Sequence, residues 1–120
     1  MEKNLFIEKM SNENGNVNEW PKLIEETCLK DGQITKGLIT AEECSELIKE
    51  VTKMARCKGD RNNLLQELAD VIVCGMFQCY FNGFTKEELI KAVSVKLKEC
   101  VGKKDPVYIT KNQPWKGTDL

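Results

Sequence analysis

Residues 62–81 read NNLLQELADVIVCGMFQCYF, and this stretch decides the fold. From Val71 onward nearly every residue is apolar, a pattern typical of a helix that is buried on most of its sides. Glu67 and Asp70 stand just before the apolar run and three residues apart, so both carboxylates project from one helical face. In a chain of 120 residues, so much burial on one helix favours a second subunit that completes the core. The stretch therefore predicts the central helix of an all-α bundle.

A second acidic pair precedes this helix. Residues 42–46 read EECSE, which places two glutamates on one face of another predicted helix. Residues 47–66 are enough to finish that helix, turn and return antiparallel, so the two pairs can face each other. Each pair shares its face with apolar residues, and a buried carboxylate is costly unless it is paired or binds a metal. The chain has no His, and oxygen-only ligands favour Mg²⁺ or Mn²⁺. The sequence therefore predicts a magnesium or manganese site with four ligands: Glu43, Glu46, Glu67 and Asp70.

Two simpler interpretations of these acids stay open. An acidic pair three residues apart is common in a chain that is 31% charged, and it is usually a solvated helical face. Thr40 and Glu43 also fit a capping box, in which Glu43 would only stabilise a helix start. A solvated face is the weakest interpretation for Glu67 and Asp70, because the apolar run begins at the next residue, Val71.

The remaining pattern divides the chain into an arm, a helical domain and a tail. Residues 1–17 are polar and predict a turn or mobile arm. Residues 18–102 predict a bundle of about four to five helices. Residues 103–120 predict an irregular extension, in which 107–110 is the only strand candidate. The clearest helices are expected at about 18–31, from Ile34 or Thr40 to Arg56, at 62–81 and at 85–102.

Composition and charge favour a cytoplasmic protein. The formal net charge is −1, so no strong field draws the surface toward nucleic acid or anionic lipid. Residues 1–10 lack the apolar segment of a secretory signal. The apolar stretch 68–81 falls short of the roughly 20 residues that span a bilayer. The six cysteines are interpreted as free thiols, since most lie in apolar helical segments. We therefore expect neither nucleic acid nor a membrane as a partner.

The two acidic motifs resemble the all-α NTP pyrophosphohydrolases, the MazG-like superfamily. That family carries E-E-x-x-E on one helix and E-x-x-D at the opening of a long apolar helix. Here the motifs are EECSEL at 42–47 and ELADV at 67–71, and the resemblance covers roughly residues 33–100. It implies Mg²⁺-dependent hydrolysis of a nucleoside triphosphate to the monophosphate and pyrophosphate, as in nucleotide-pool house-cleaning. It also implies that four carboxylates are the metal ligands and catalytic groups: Glu43, Glu46, Glu67 and Asp70.

Several residues are candidates for contact with the substrate. Many relatives have a lysine on the last helix with an asparagine four residues later, and Lys96 fits the lysine while Cys100 replaces the asparagine. Lys53 and Arg56 belong to a basic cluster that could hold phosphates, although most of that cluster is expected to be solvated surface. Trp20 could stack on a base, although aromatic residues at helical spacing are more often part of the core. Lys96 could equally be a lysine that snorkels from an apolar edge.

Other functions and several details stay open at this stage. A non-catalytic helical interaction or regulatory protein that retains the metal site is the main alternative. A di-iron carboxylate protein is disfavoured, because its Glu-x-x-His motif needs histidine. The substrate could be dUTP, dCTP, a noncanonical nucleotide or a broad set. The general base could be one of the ligand glutamates, or Glu42 or Glu50. We expect a homodimer or homotetramer.

Overall fold

The computed structural model describes residues 2–103, with side chains from residue 5 onward. These residues form five α-helices and no strand, which confirms the all-α prediction. The tail from residue 104, including the strand candidate at 107–110, lies outside the described residues. A short 3₁₀ helix, Val17–Glu19, precedes the second α-helix. The α-helices are α1 (Glu2–Ser11), α2 (Trp20–Asp31), α3 (Gln33–Ala55), α4 (Arg61–Asn82) and α5 (Lys86–Gly102).

The helix ends follow local sequence signals. The Asp60 carboxylate accepts hydrogen bonds from the backbone N–H groups of Asn62 at 2.8 Å and Asn63 at 3.1 Å, which caps the start of α4. Thr85 and Glu88 form the reciprocal capping box that starts α5. Gly83 ends α4 in the left-handed conformation at a φ of 71°, which glycine adopts without steric cost. These three boundaries confirm the predicted ends of the helices.

The start of α3 decides between two interpretations of the sequence. Gly32, at a φ of 85°, both ends α2 and starts α3, so a single residue joins the two helices. Thr40 consequently lies inside α3, where its hydroxyl donates a hydrogen bond to the carbonyl oxygen of Lys36 at 2.7 Å. A capping box at Thr40 and Glu43 is therefore wrong, and Glu43 is an interior helical residue.

The first residues contain a helix that the sequence did not predict. Residues 1–17 were expected to be a turn or mobile arm, yet Glu2–Ser11 form α1, which packs against α4. The segment alternates acidic and basic residues with few apolar ones, so it lacks the apolar stripe that marks an amphipathic helix. The prediction for residues 1–17 needs this correction.

The helices α3 and α4 form the main packed pair of the chain. The buried apolar residues in the described part are few: Cys28, Cys74 and Phe77, with Ile24, Ile39 and Phe81 packed beside them. On α4, Ile72 is 59% exposed although it lies in the apolar run. The expected burial of α4 on most sides is thus not reached within one chain.

Helix α4 also has the length and composition of a membrane span, with 22 residues and a mean hydropathy of 1.3 in its most apolar window. Core helices of soluble proteins share this property. Here α4 packs against α1, α2 and α3 and carries two acids of the site described below. The sequence analysis considered only residues 68–81, which are too few to span a bilayer, whereas the whole of α4 is long enough by length and composition alone.

Lys36 is a buried cation that joins three helices. Its ammonium group donates hydrogen bonds to Thr27 Oγ1 and to Asp31 Oδ2, both at 2.8 Å. It also lies 4.3 Å from the centre of the Phe77 ring, within range of a cation–π interaction. The Lys36 ammonium lowers the pKa of the Asp31 carboxyl. Lys36 therefore fixes α3 against both α2 and α4.

We expect Lys36→Ala to destabilise the fold by about 2 to 3 kcal/mol, because it removes two charge-assisted hydrogen bonds and buried methylene packing. Urea unfolding followed by circular dichroism measures the effect. Lys49→Ala is the control, since Lys49 forms an exposed pair with Glu46 at 3.2 Å and exposed pairs contribute about 0 to 1 kcal/mol. Equal effects of the two substitutions would contradict the role of Lys36.

Candidate active site

Three carboxylates converge between α3 and α4. Glu43 comes from α3, and Glu67 and Asp70 come from α4. One oxygen from each lies within 4.8 Å of the others, and all three side chains are half-buried. The convergence follows from the sequence, because the two α4 acids are three residues apart on the face that meets α3. A cluster of this size can enclose one cation.

Burial and mutual repulsion perturb the cluster. Desolvation, followed by the charges of Asp70 and Glu67, raises the pKa of the Glu43 carboxyl to about 7. Desolvation and the charge of Asp70 also raise the pKa of Glu67, while a hydrogen bond with Glu43 acts in the opposite direction. At neutral pH, without a cation, Glu43 is therefore about half protonated, with Asp70 and Glu67 as its hydrogen-bond partners.

Two buried oxygens have no partner. They are Glu67 Oε2 and Glu50 Oε1, which are the buried side-chain polar atoms without a hydrogen bond in the described part of the chain. Leaving a buried acceptor unsatisfied costs about 1 to 3 kcal/mol, and more when it is charged. Carboxylate oxygens are the ligands that Mg²⁺ and Mn²⁺ prefer. The donor set thus fits a divalent cation better than it fits an empty, solvated surface.

The fourth predicted ligand, Glu46, lies outside the close group. Its carboxylate accepts a hydrogen bond from Lys49 at 3.2 Å. Its charge still contributes to the raised pKa of Glu67, so it lies on the same side of α3. The structure therefore brings together three of the four predicted ligands and leaves Glu46 at the edge of the cluster.

The predicted substrate residues lie at different distances from the carboxylates. Lys53 forms an ion pair with Glu50 at 3.2 Å, ten residues beyond Glu43 on α3. Arg56 is exposed at the end of α3. Lys96 is exposed on α5 and pairs with Glu99 at 3.2 Å. No helix packs along α5 in residues 2–103, so Lys96 does not reach the carboxylates of its own chain.

Trp20 belongs to a separate apolar groove between α2 and α4, with a volume of about 440 Å³. None of the clustered carboxylates is among the residues that line this groove. Its lining residues are Trp20, Leu23, Ile24, Thr27, Ala69, Ile72, Val73, Met76 and Phe77.

Three neighbours of the cluster had no assigned role in the sequence analysis. Gln78 donates a hydrogen bond to Thr40 Oγ1 at 3.4 Å, across the α3–α4 interface. Cys74 is buried on the same helix as Gln78, and burial raises the pKa of its thiol. Cys74 and Gln78 share a helical face with Asp70, so helical spacing in the sequence was the signal that could have identified them as neighbours of the cluster. Thr40 had been considered only as a helix cap.

The fold and the acidic cluster define an all-α protein with a carboxylate site that can bind a metal. A model of the MazG nucleotide pyrophosphohydrolase domain matches residues 32–101, which span α3, α4 and nearly all of α5. This chain therefore belongs to the MazG nucleotide pyrophosphohydrolase family. No curated protein and no solved structure gives a significant match.

Proposed function

We propose that this protein is a Mg²⁺-dependent nucleoside triphosphate pyrophosphohydrolase, which converts a (d)NTP and water to the (d)NMP and pyrophosphate. The observation that carries the proposal is the convergence of Glu43, Glu67 and Asp70 within 4.8 Å, beside a buried Glu67 oxygen that has no partner. The family to which the chain belongs supports a hydrolase acting on nucleotides.

The roles of the residues follow from their positions. Glu67 lies at the centre of the cluster, since it faces Glu43, Asp70 and the charges of Glu46 and Glu50. A divalent cation held there would neutralise phosphate charge and make water a better nucleophile at neutral pH. Glu43 must lose its proton before it can be a ligand, and afterwards it can accept a proton during the reaction. Lys53, which is partly exposed on α3, is the candidate contact for a phosphate.

The setting that we propose is cytoplasmic, with a nucleotide as the small-molecule partner and with neither nucleic acid nor a membrane. The net charge of −1 gives no broad basic surface for a polyanion. All six cysteines are free thiols, as a reducing compartment maintains them. House-cleaning of the nucleotide pool is the proposed biological role.

A product-resolved nucleotide screen tests the activity. The purified chain is incubated with canonical and noncanonical (d)NTPs, with Mg²⁺, with Mn²⁺ or with EDTA, and pyrophosphate and orthophosphate are measured separately. We expect pyrophosphate with a metal and neither product with EDTA. Orthophosphate alone would mean cleavage at another phosphate. No product with any nucleotide would favour the non-catalytic interaction protein instead.

We further propose that the chain works as a homodimer or homotetramer. Every residue of α5 is exposed, although Leu89, Val93 and Leu97 recur at helical spacing. The apolar groove between α2 and α4 is open as well. Burial of apolar surface is the main favourable term in association. In an oligomer, the exposed face of α5 and the open groove can both be buried against a second copy of the chain.

We expect Val93→Glu to weaken self-association by about a hundredfold or more, because it places a charge within the apolar stripe of α5. Sedimentation velocity over a concentration series measures it. Val95→Glu is the matched control: Val95 is 54% exposed and Val93 48%, but Val95 lies on the opposite face of α5. A monomeric wild-type chain, or equal effects of both variants, would contradict the proposed oligomer.

A further inference from the structure

Gln78 contacts Thr40 across the interface between α3 and α4. The Gln78 amide nitrogen donates a hydrogen bond to Thr40 Oγ1 at 3.4 Å. Thr40 precedes Glu43 by three residues on the same face of α3, which is about 4.5 Å along the helix axis. Both Thr40 and Gln78 are half-buried. An uncharged pair of hydrogen-bonding side chains therefore lies one helical turn from a member of the carboxylate cluster.

The hydrogen bonds of Thr40 fix the orientation of the Gln78 amide. The Thr40 hydroxyl has one proton, which it donates to the carbonyl oxygen of Lys36 at 2.7 Å. Thr40 Oγ1 can therefore only accept a second hydrogen bond, so the amide nitrogen of Gln78 must face it. Gln78 Oε1 makes no hydrogen bond within residues 5–103, and it is not buried. It is an acceptor of fixed direction that is open to a ligand.

The groups on the two sides of Glu43 differ in charge. Lys53 and Arg56 follow Glu43 on α3 and are the candidate contacts for phosphate. Thr40 and Gln78 lie on the other side and offer neutral hydrogen-bonding groups. In a nucleoside triphosphate the sugar separates the phosphates from the base, so the two lie at opposite ends. A nucleotide whose phosphates meet the cation and the basic side chains therefore extends its base toward Gln78.

We propose that Gln78 selects nucleotides whose base carries an exocyclic amino group, as cytosine and adenine do, and that Thr40 positions the Gln78 amide. This inference rests on the proposed hydrolysis of nucleotides and names the substrate class within it. An amino group donates a hydrogen bond to Gln78 Oε1, whereas the keto oxygen of uracil or hypoxanthine would bring two acceptors together. A site that accepts a hydrogen bond discriminates against a ligand without the donor, because its acceptor is left unsatisfied.

Equilibrium binding of nucleotide analogues tests the inference without turnover. The probes are the α,β-imido analogues of dCTP and dUTP, which resist cleavage between the α- and β-phosphates, and the matching analogues of dATP and dITP. Isothermal titration in Mg²⁺ measures each Kd. In each pair that binds, we expect the wild-type chain to bind the amino-bearing analogue about tenfold more tightly than the keto analogue, or better.

Two substitutions should remove this preference in opposite ways. Thr40→Val keeps the shape of the side chain but removes the hydroxyl, so the Gln78 amide can rotate and donate to a keto group. This variant should bind the keto analogues about tenfold more tightly, with little change for the amino-bearing ones. Gln78→Met removes the acceptor and should instead weaken binding of the amino-bearing analogues about tenfold. Thr40→Ser retains the hydroxyl and should keep the wild-type preference.

Asn82→Ala is the matched control. Asn82 lies one turn beyond Gln78 on α4, and its side-chain amide also donates a hydrogen bond, to the Gln78 carbonyl oxygen at 2.8 Å, but at an exposed position. This variant should bind every analogue as the wild-type chain does. Circular dichroism checks that each variant is folded.

The outcomes separate this inference from the proposed function. Equal affinity for both members of a pair in the wild-type chain would overturn the role of Gln78 and leave the hydrolysis intact. The same conclusion would follow from an unchanged preference in Thr40→Val and Gln78→Met. Absence of binding by all four analogues would instead overturn the nucleotide function itself, and the inference with it.

Discussion

Glu67→Gln is expected to abolish pyrophosphate release while the chain keeps its helical fold. Glu67 lies at the centre of the carboxylates, with a buried oxygen that no protein group satisfies. Gln replaces a charged ligand with a neutral amide of the same shape, so binding of the cation is lost while packing is retained. We expect kcat/KM to fall at least about a thousandfold, or about 4 kcal/mol of transition-state stabilisation.

The stability of this variant should change in the opposite direction. Without metal, the wild-type chain keeps several acidic groups in a partly desolvated hollow, and burial together with Asp70 raises the pKa of Glu67. Removal of one charge relieves that repulsion. We therefore expect Glu67→Gln to unfold at a higher temperature than wild type in EDTA, and to gain no stability when Mg²⁺ is added. Differential scanning calorimetry measures both effects.

Two further variants support the interpretation of this result. Asp70→Asn removes a second member of the close group and should lose activity to a similar extent. Glu26→Gln, at an exposed position on α2, should retain activity. Wild-type rates in Glu67→Gln or Asp70→Asn would show that hydrolysis does not depend on the cluster, and the interaction-protein alternative would then be preferred.

The sequence predicted the acids and their faces because those features depend on helical spacing alone. Glu67 and Asp70 lie on one face of α4 in any straight helix. The same spacing placed Glu50 on the face of Glu43. It could not show which α3 glutamates meet Glu67, because that depends on the register between α3 and α4.

The connection between α3 and α4 is short and has two unusual backbone features. Cys57 adopts a φ of 58°, which is unusual for a residue other than glycine. Gly59 lies against Met54, so closely that a Cβ atom at Gly59 would overlap the Met54 side chain. These features are confined to residues 54–59 and leave no periodic signal in the sequence. Glu43 lies in the close group, whereas Glu46 lies at its edge.

The exposed surfaces are a different case. The apolar run of α4 favoured burial against a second subunit as well as within the chain. In the structure, α5 has no helix packed along it in the described residues, and Ile72 on α4 is exposed. Periodicity shows that a face requires a partner but does not show whether that partner belongs to the same chain.

The stability of the metal-free protein should fall as the pH rises from about 5 to about 8. Glu43 has a pKa of about 7 in the folded state, against an ordinary value of 4.5. Between these values the folded chain keeps a proton that the unfolded chain has released, so stability is highest below 4.5 and is lost as pH rises through 7. At about 1.4 kcal/mol per pH unit, the loss approaches 3 kcal/mol, and partial solvent exposure reduces it to about 1 to 2 kcal/mol.

Mg²⁺ should reverse this dependence, because the cation and the proton compete for Glu43. Below pH 7 the affinity for metal should fall by up to about tenfold per pH unit, while above pH 7 it should be nearly constant. Urea unfolding in EDTA and in saturating Mg²⁺, at pH values from about 5 to 8, measures both curves. The EDTA curve should descend, and the gap between the curves should widen with pH.

Glu43→Gln should flatten the EDTA curve and largely close the gap, since this variant neither binds the competing proton nor supplies the ligand. A flat EDTA curve for the wild-type chain would show that Glu43 is ionised throughout, and that like charges in the cluster are tolerated without a cation.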